Sequence, residues 1–164
     1  MNGQGTVERI FIAPEAEAEM REQSAVEAVA GAGLRGDRYF RDIESGTFVE
    51  WERDEDRPTG YDLTLIEQEA IEAIEREAGL TLNPGEHRRN VETRDAALNH
   101  LVGKRFTVGD VVCRGDRLCE PCSHLQRVTA DGVLSALTHR GGLRADILEG
   151  GTIRPGDEIT VLDE

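Results

Sequence analysis

Two thiols stand three residues apart in the stretch Leu118-Cys119-Glu120-Pro121-Cys122-Ser123-His124-Leu125, and the chain's only other cysteine is Cys113. Three chemistries are open to such a pair. A structural zinc site needs four soft ligands, usually supplied as two pairs. Here there is one pair, with Cys113 and His124 as possible additions and His87, His100 and His139 scattered singly. A dithiol redox couple is the second option, since C-E-P-C has the C-x-P-C form with a helical turn starting at the second cysteine. That chemistry belongs after a strand in a βαβ array, and the flanks here read as a strand-rich barrel. The third option uses Cys122 as one working sulfur. Pro121 fixes its approach and residues 123–127 start a helical turn, where free backbone N–H groups favour a thiolate. Such a sulfur binds a thiophilic metal or holds a persulfide. Against all three stands simple burial of both thiols as small apolar groups.

The elements that would position these thiols are short. Residues 7–12 are β-rich and read as a first strand, followed by an acidic surface connection over 13–23. Residues 24–32 are a strand or a small-residue segment, broken by Gly31, Gly33 and Gly36. Residues 41–60 are the most loop-like stretch, and their Trp51, the only tryptophan, reads as a pin holding the loop to the body. The strongest helical periodicity runs over 66–78, with Thr64 and Glu67 as a capping box, Gly79 as the stop and a solvated polar face. Strands are expected at 90–93, 105–108, 111–118, 143–148 and 158–162, with a short helix at 131–139 ended by Gly141-Gly142. The stretch GGTIRPGDE reads as the connection between the last two strands. The pattern predicts one mainly β domain over 1–164, a barrel or sandwich with a few packed helices.

Composition excludes several classes of function. The chain carries 33 acids against 19 bases, a formal net charge of -14, and every base except Lys104 is arginine. Nucleic acid would be repelled, because its binders cluster positive charge. Carboxylate excess together with lysine loss suggests a salt-adapted, halophilic setting, where counterions screen self-repulsion. Arginine use in a GC-rich genome is the alternative. No apolar run approaches the ~20 residues that span a bilayer, and the N-terminus has no signal-peptide pattern. With an odd, low cysteine count, a cytoplasmic location is expected.

Six segments, GLRGDRYF (33–40), LTLIEQEAIEAI (63–74), RRNVET (88–93), LVGKRFTVGDV (101–111), LCEPCSHL (118–125) and RGGLRADILEGGTIRPGDEI (140–159), occur in the order seen in MOSC domains, which the chain resembles over residues 33–160. These domains are named for the C-terminal domain of molybdenum cofactor sulfurases, and this chain resembles the small stand-alone members. The resemblance implies a closed β-barrel of the pyruvate-kinase barrel type with peripheral helices. It also implies binding of the molybdenum cofactor, a pterin dithiolene bearing a phosphate, without the pyridoxal phosphate of the sulfurases' other domain. The family's signature cysteine matches Cys122, as metal ligand or sulfur carrier. The Arg-x-Asn element corresponds to RRN (88–90), which implies Arg89 and Asn90 at the cofactor with Thr93 nearby, and the Gly-Asp element matches Gly36-Asp37 with Arg35 beside it; Arg140 is a further candidate.

The chemistry of those residues suits the cofactor. Arginine offers planar, permanently charged donors to phosphate, and asparagine both donates and accepts at a pterin edge. Gly36, Gly141 and Gly142 permit close backbone approach. Each also has a plainer role: Asp37 braces Arg35 or Arg38, the glycines turn barrel corners, and Arg140 caps a helix end. Relatives imply two-electron reduction of N-hydroxylated substrates, with a protein electron donor. A sulfur-carrier module with a Cys122 persulfide and a sulfur-donor partner is the alternative, and a non-catalytic zinc- or cofactor-binding protein is the third.

Overall fold

The structure, a computed structural model, describes residues 5–41 and 59–163. Seven strands close into a barrel. Strand β1 (Gly5–Ile12) pairs with β6 (Val91–Arg94), β6 with β5 (Leu63–Glu67), β5 with β9 (Leu143–Glu149) and β9 with β8 (Val111–Leu118). From β8 the order continues through β7 (Arg105–Val108) and β11 (Glu158–Val161) back to β1. Gly5 opposite Ile159 and Thr6 opposite Glu158 make the closure. All of these pairs are antiparallel except β5–β6, a parallel pair joined through helix α1 (Gln68–Ala78). A register shift between Val7 and Arg9 bends β1, whose far end pairs with β2 (Arg21–Gln23). A small sheet of β10 (Gly151–Ile153), β3 (Val26–Val29) and β4 (Gly33–Leu34) flanks the barrel.

Alternation along the strands fills the interior. Phe106 and Val108 on β7, Val111 and Cys113 on β8, and Leu143, Ala145 and Ile147 on β9 all belong to one buried cluster. The 3-10 turn Leu98–Leu101 contributes Leu98 and Leu101 to it. A side chain on Gly115 would meet the Leu101 carbonyl oxygen at 2.1 Å, so this strand position admits only glycine. Cys113 therefore packs as a core residue. Burial, with Asp62 and Asp146 nearby, pushes its thiol pKa up to about 12.

A second apolar cluster lies against the helices. Ile71 and Ile74 of α1 meet Ile66, Leu82, Leu125, Val133 and Leu137, the last three from the region of α2 (Ser123–Val128) and α3 (Val133–Ala136). Strand β5 is thus covered on both faces, Leu63 and Leu65 toward the barrel and Ile66 toward the helices. That double burial explains why the expected capping box is absent. Residues 64–67 pair as strand, Glu67 takes the N-cap position without a side-chain bond, and Thr64 is engaged by Asn90 instead. Gly79 does end α1, at φ 67°, with its N–H on the Glu75 carbonyl.

The remaining elements follow the sequence with small shifts. Strands β7 and β8 occupy the expected residues, and the expected short helix is trimmed to α3. Strands β2, β4 and β10 fall in segments expected to be connections, because partners supplied by distant strands, not local alternation, define them. Trp51 and residues 42–58 lie outside the described residues. No described helix is long and apolar enough to cross a membrane.

Candidate active site

The thiol motif leaves the end of β8. The Cys119 N–H donates to the Gly142 carbonyl at 2.7 Å, which docks the motif against the start of β9. This approach depends on the glycine pair. A side chain on Gly141 would lie 2.5 Å from the Cys119 carbonyl, and one on Gly142, at φ 115°, only 2.1 Å from the Leu65 carbonyl. Cys119 is buried, whereas Cys122 is exposed as the N-cap residue of α2 with extended backbone and no capping bond from its side chain. Its carbonyl accepts the Gln126 N–H at 3.2 Å. Of three cysteines, one presents its sulfur to solvent.

Arg89 ties the motif to the barrel. Its Nη2 donates to the Cys119 carbonyl at 2.8 Å, Nε to the Gly141 carbonyl at 2.7 Å and Nη1 to the His87 carbonyl at 3.0 Å. Burial of a cation against three neutral carbonyls leaves its charge in place. His87 stands directly behind. Its Nδ1 accepts the Arg89 N–H at 2.9 Å, so the ring proton sits on Nε2 and donates to Glu92 Oε1 at 2.9 Å. Glu92 Oε2 in turn accepts Arg9 Nη1 at 3.0 Å. Burial lowers the His87 pKa and keeps the ring neutral. For Glu92 burial opposes ionisation, but the bonds from His87 and Arg9 outweigh it and hold the pKa below the usual value.

Asn90 faces the other way. Its Oδ1 accepts Thr64 N–H at 3.0 Å and its Nδ2 donates to the Phe11 carbonyl at 3.1 Å and to Asp37 Oδ1 at 3.4 Å. Asp37 also accepts the Ala13 N–H and Arg38 Nη1, each at 3.1 Å. Asn90 and Asp37 therefore clamp β1, β5 and the 37–39 turn from within. Between them Arg88 has φ 62°, a left-handed conformation that costs a non-glycine residue about 1 kcal/mol. This turn sends its guanidinium to the Ala16 and Ala18 carbonyls, both at 2.9 Å.

A cleft of about 270 Å³ opens where these parts meet. Cys122, Cys119, Arg38, Arg88, Arg89 and Arg144 line it, with Tyr39, Thr64 and Leu125. Among the described residues Glu17 is its only acidic lining residue. A groove of about 370 Å³ adjoins it, sharing Ala16, Glu17 and Arg88. Of the residues expected at the site, Cys122 and Arg89 come together here, and Asn90 and Asp37 lie behind the wall. Three lie elsewhere. Thr93 is fully buried with its hydroxyl on the Ile66 carbonyl; Arg35 is exposed, pairs with Glu27 and lines a separate open pocket; Arg140 bonds the Ala136 carbonyl and Glu77.

Arg38, Arg88, Arg144, Tyr39 and Thr64 were not singled out from the sequence as members of this site. RRN had marked Arg88's neighbour, and GLRGDRYF had contained Arg38 and Tyr39, so their proximity to a motif was the available signal. Arg144 lies inside the 140–159 segment, two residues after Gly142, and carried the same kind of signal. Among the described residues no three His, Cys, Asp or Glu side chains converge as a metal-ligand set.

The chain is thus a closed β-barrel whose exposed thiol lines an arginine-rich cleft. The MOSC domain family model matches residues 58–160, and the chain belongs to that family. Its fold is similar to that of YuaD from Bacillus subtilis, with a TM-score of 0.79, 17% identity, and coverage of 98% of this chain and 97% of that one. YiiM from Geobacillus stearothermophilus gives 0.70 at 13% identity, covering 97% of this chain and 75% of that one. YiiM from Escherichia coli gives 0.64 at 12%, covering 97% and 70%. No curated protein matches the sequence.

Proposed function

We propose that the chain binds a molybdenum cofactor in this cleft, with Cys122 as the protein's ligand to the metal. MOSC domains are associated with that cofactor. The observation that carries the reading is the contrast among the cysteines: Cys122 alone is exposed, and it lines the arginine cleft. The donor set fits the group. A thiol is the soft ligand molybdenum requires, and several guanidinium groups suit an anionic dithiolene and phosphate.

When bound, the group would supply two-electron redox chemistry, here reduction of an N-hydroxylated substrate with electrons from a protein donor in the cytoplasm. The chain's own residues would bind and orient. Arg89 holds the 119–122 loop through the Cys119 carbonyl, the His87–Glu92–Arg9 chain fixes Arg89, and Arg38, Arg88 and Arg144 supply positive potential.

The test is molybdenum content and pterin fluorescence of protein made in a cofactor-competent host. Cys122→Ser is expected to lose molybdenum with the fold intact by circular dichroism, because serine removes the soft sulfur. Cys119→Ser is expected to retain most of it. Equal losses from the two substitutions would overturn the single-ligand reading. Persulfide on Cys122 without molybdenum would instead identify a sulfur carrier.

A further inference from the structure

We propose that Arg144 is an anion-recognition residue: its guanidinium takes the ionised carboxylate or phosphate group of a small molecule bound in the Cys122 cleft. The inference rests on the reading above for the identity of the cleft, and on nothing about molybdenum.

Arg144 lies on β9, half-buried, and lines the cleft beside Cys122. Its guanidinium stands 5.0 Å from the centre of the Tyr61 ring and, among the described residues, makes no hydrogen bond or ion pair. Tyr61 packs edge-to-face with Tyr39, so the platform under the arginine is itself held. A cation–π contact uses none of the guanidinium's N–H groups as donors to oxygen, so its fork stays available to two oxygens of a carboxylate or phosphate.

The other three cleft arginines are committed. Arg89 gives its N–H groups to three carbonyls, Arg88 to two, and Arg38 to Asp37 and the Arg88 carbonyl. Carbonyl partners leave the charges of Arg88 and Arg89 unneutralised, so positive potential accumulates where Arg144 points. Burial first and the neighbouring Arg38 second draw the Arg88 pKa down, against the pull of Glu17, Tyr39 and Asp37. A purely structural arginine in a chain with 33 acids would be expected to have found a carboxylate, as Arg94, Arg105 and Arg140 have.

Alkylation of Cys122 in metal-free protein tests this, with the modified site read by mass spectrometry. Iodoacetate carries a carboxylate and iodoacetamide does not. The ratio of their rates at Cys122, divided by the same ratio for a free thiol, reports anion attraction in the cleft. At low ionic strength we expect enrichment of about fivefold, the scale of partly screened charges at close range. Arg144→Gln is expected to lose most of it, Arg144→Lys to keep part, and Arg105→Gln to keep all. At fixed ionic strength phosphate or acetate should slow iodoacetate; stronger protection by phosphate assigns a phosphate ligand, and stronger protection by acetate a carboxylate one. An unenriched wild type, an unchanged Arg144→Gln with iodoacetamide reactivity and unfolding midpoint as in wild type, or protection by neither anion would overturn the proposal. Because the protein is metal-free throughout, failure here is distinct from failure to retain molybdenum.

Discussion

Arginines on the outside of the barrel and arginines around the cleft live under different rules. Outside, Arg94 holds Glu8 and Glu72, Arg105 holds Asp163, Arg140 holds Glu77 and Arg35 holds Glu27. In the cleft, Arg88 and Arg89 bond only carbonyls, Arg144 lies over a ring, and Arg38 alone has a carboxylate. The outer pairs cancel charge in water, where each contributes little to stability. The cleft arginines keep their charge and join separate parts of the chain. Positive potential in a strongly acidic protein is therefore a local product of packing, concentrated beside the exposed thiol.

The comparison is broken or sharpened most forcefully at Arg89. Arg89→Ala strips the donor from three buried-side carbonyls, each orphan costing ~1–3 kcal/mol, so a loss of at least about 3 kcal/mol is expected in urea unfolding. Arg105→Ala, at an exposed pair, is expected to leave the midpoint unchanged. Similar losses at both positions would erase the distinction.

A smaller effect is expected from the brace behind Arg89. The folded pKa of His87 lies below its ordinary value of 6.5, so the unfolded chain takes up this proton first on acidification. Stability from neutral His87 is complete above about pH 6.5 and falls as pH drops below it, by up to about 1.4 kcal/mol per unit until the folded ring titrates. His87→Gln should flatten unfolding stability between pH 6.5 and 5. An unchanged slope would remove His87 from the account.

The smallest effect concerns the outer surface. With a formal charge of -14, thermal unfolding should shift upward between low and molar potassium chloride, since screening relieves repulsion more than it weakens the scattered pairs. A flat curve would mean that the acidic excess reflects composition alone.

Much of the barrel was legible in advance because β7, β8 and β9 each carry their own alternation and their own turns. Gly79 as a helix stop and Cys122 as the start of a turn after Pro121 were legible for the same reason: the signal is local. The start of α1 was misread, since Thr64 and Glu67 have the spacing of a cap while Leu65, Ile66 and Glu67 pair with β6. Pairing along both edges of β5 and burial of both its faces outweigh a capping bond of ~1 kcal/mol. At the site, the RRN and CEPC segments led to Arg89 and Cys122, while Arg144 sits inside the 140–159 segment with no local feature that shows it facing the cleft.

By itself the sequence determined the strand periods, the glycine turns, the acidic balance and the single cysteine set at a helix start. These depend on neighbours within a few residues. Tertiary structure alone decided which charges stay uncancelled. Arg89 reaches Gly141 across 52 residues and Cys119 across 30. Arg144 meets Tyr61 only because β5 and β9 pair side by side. Composition sums charge over the whole chain, whereas a ligand responds to the few charges within a Debye length, and closure of the barrel selects those few.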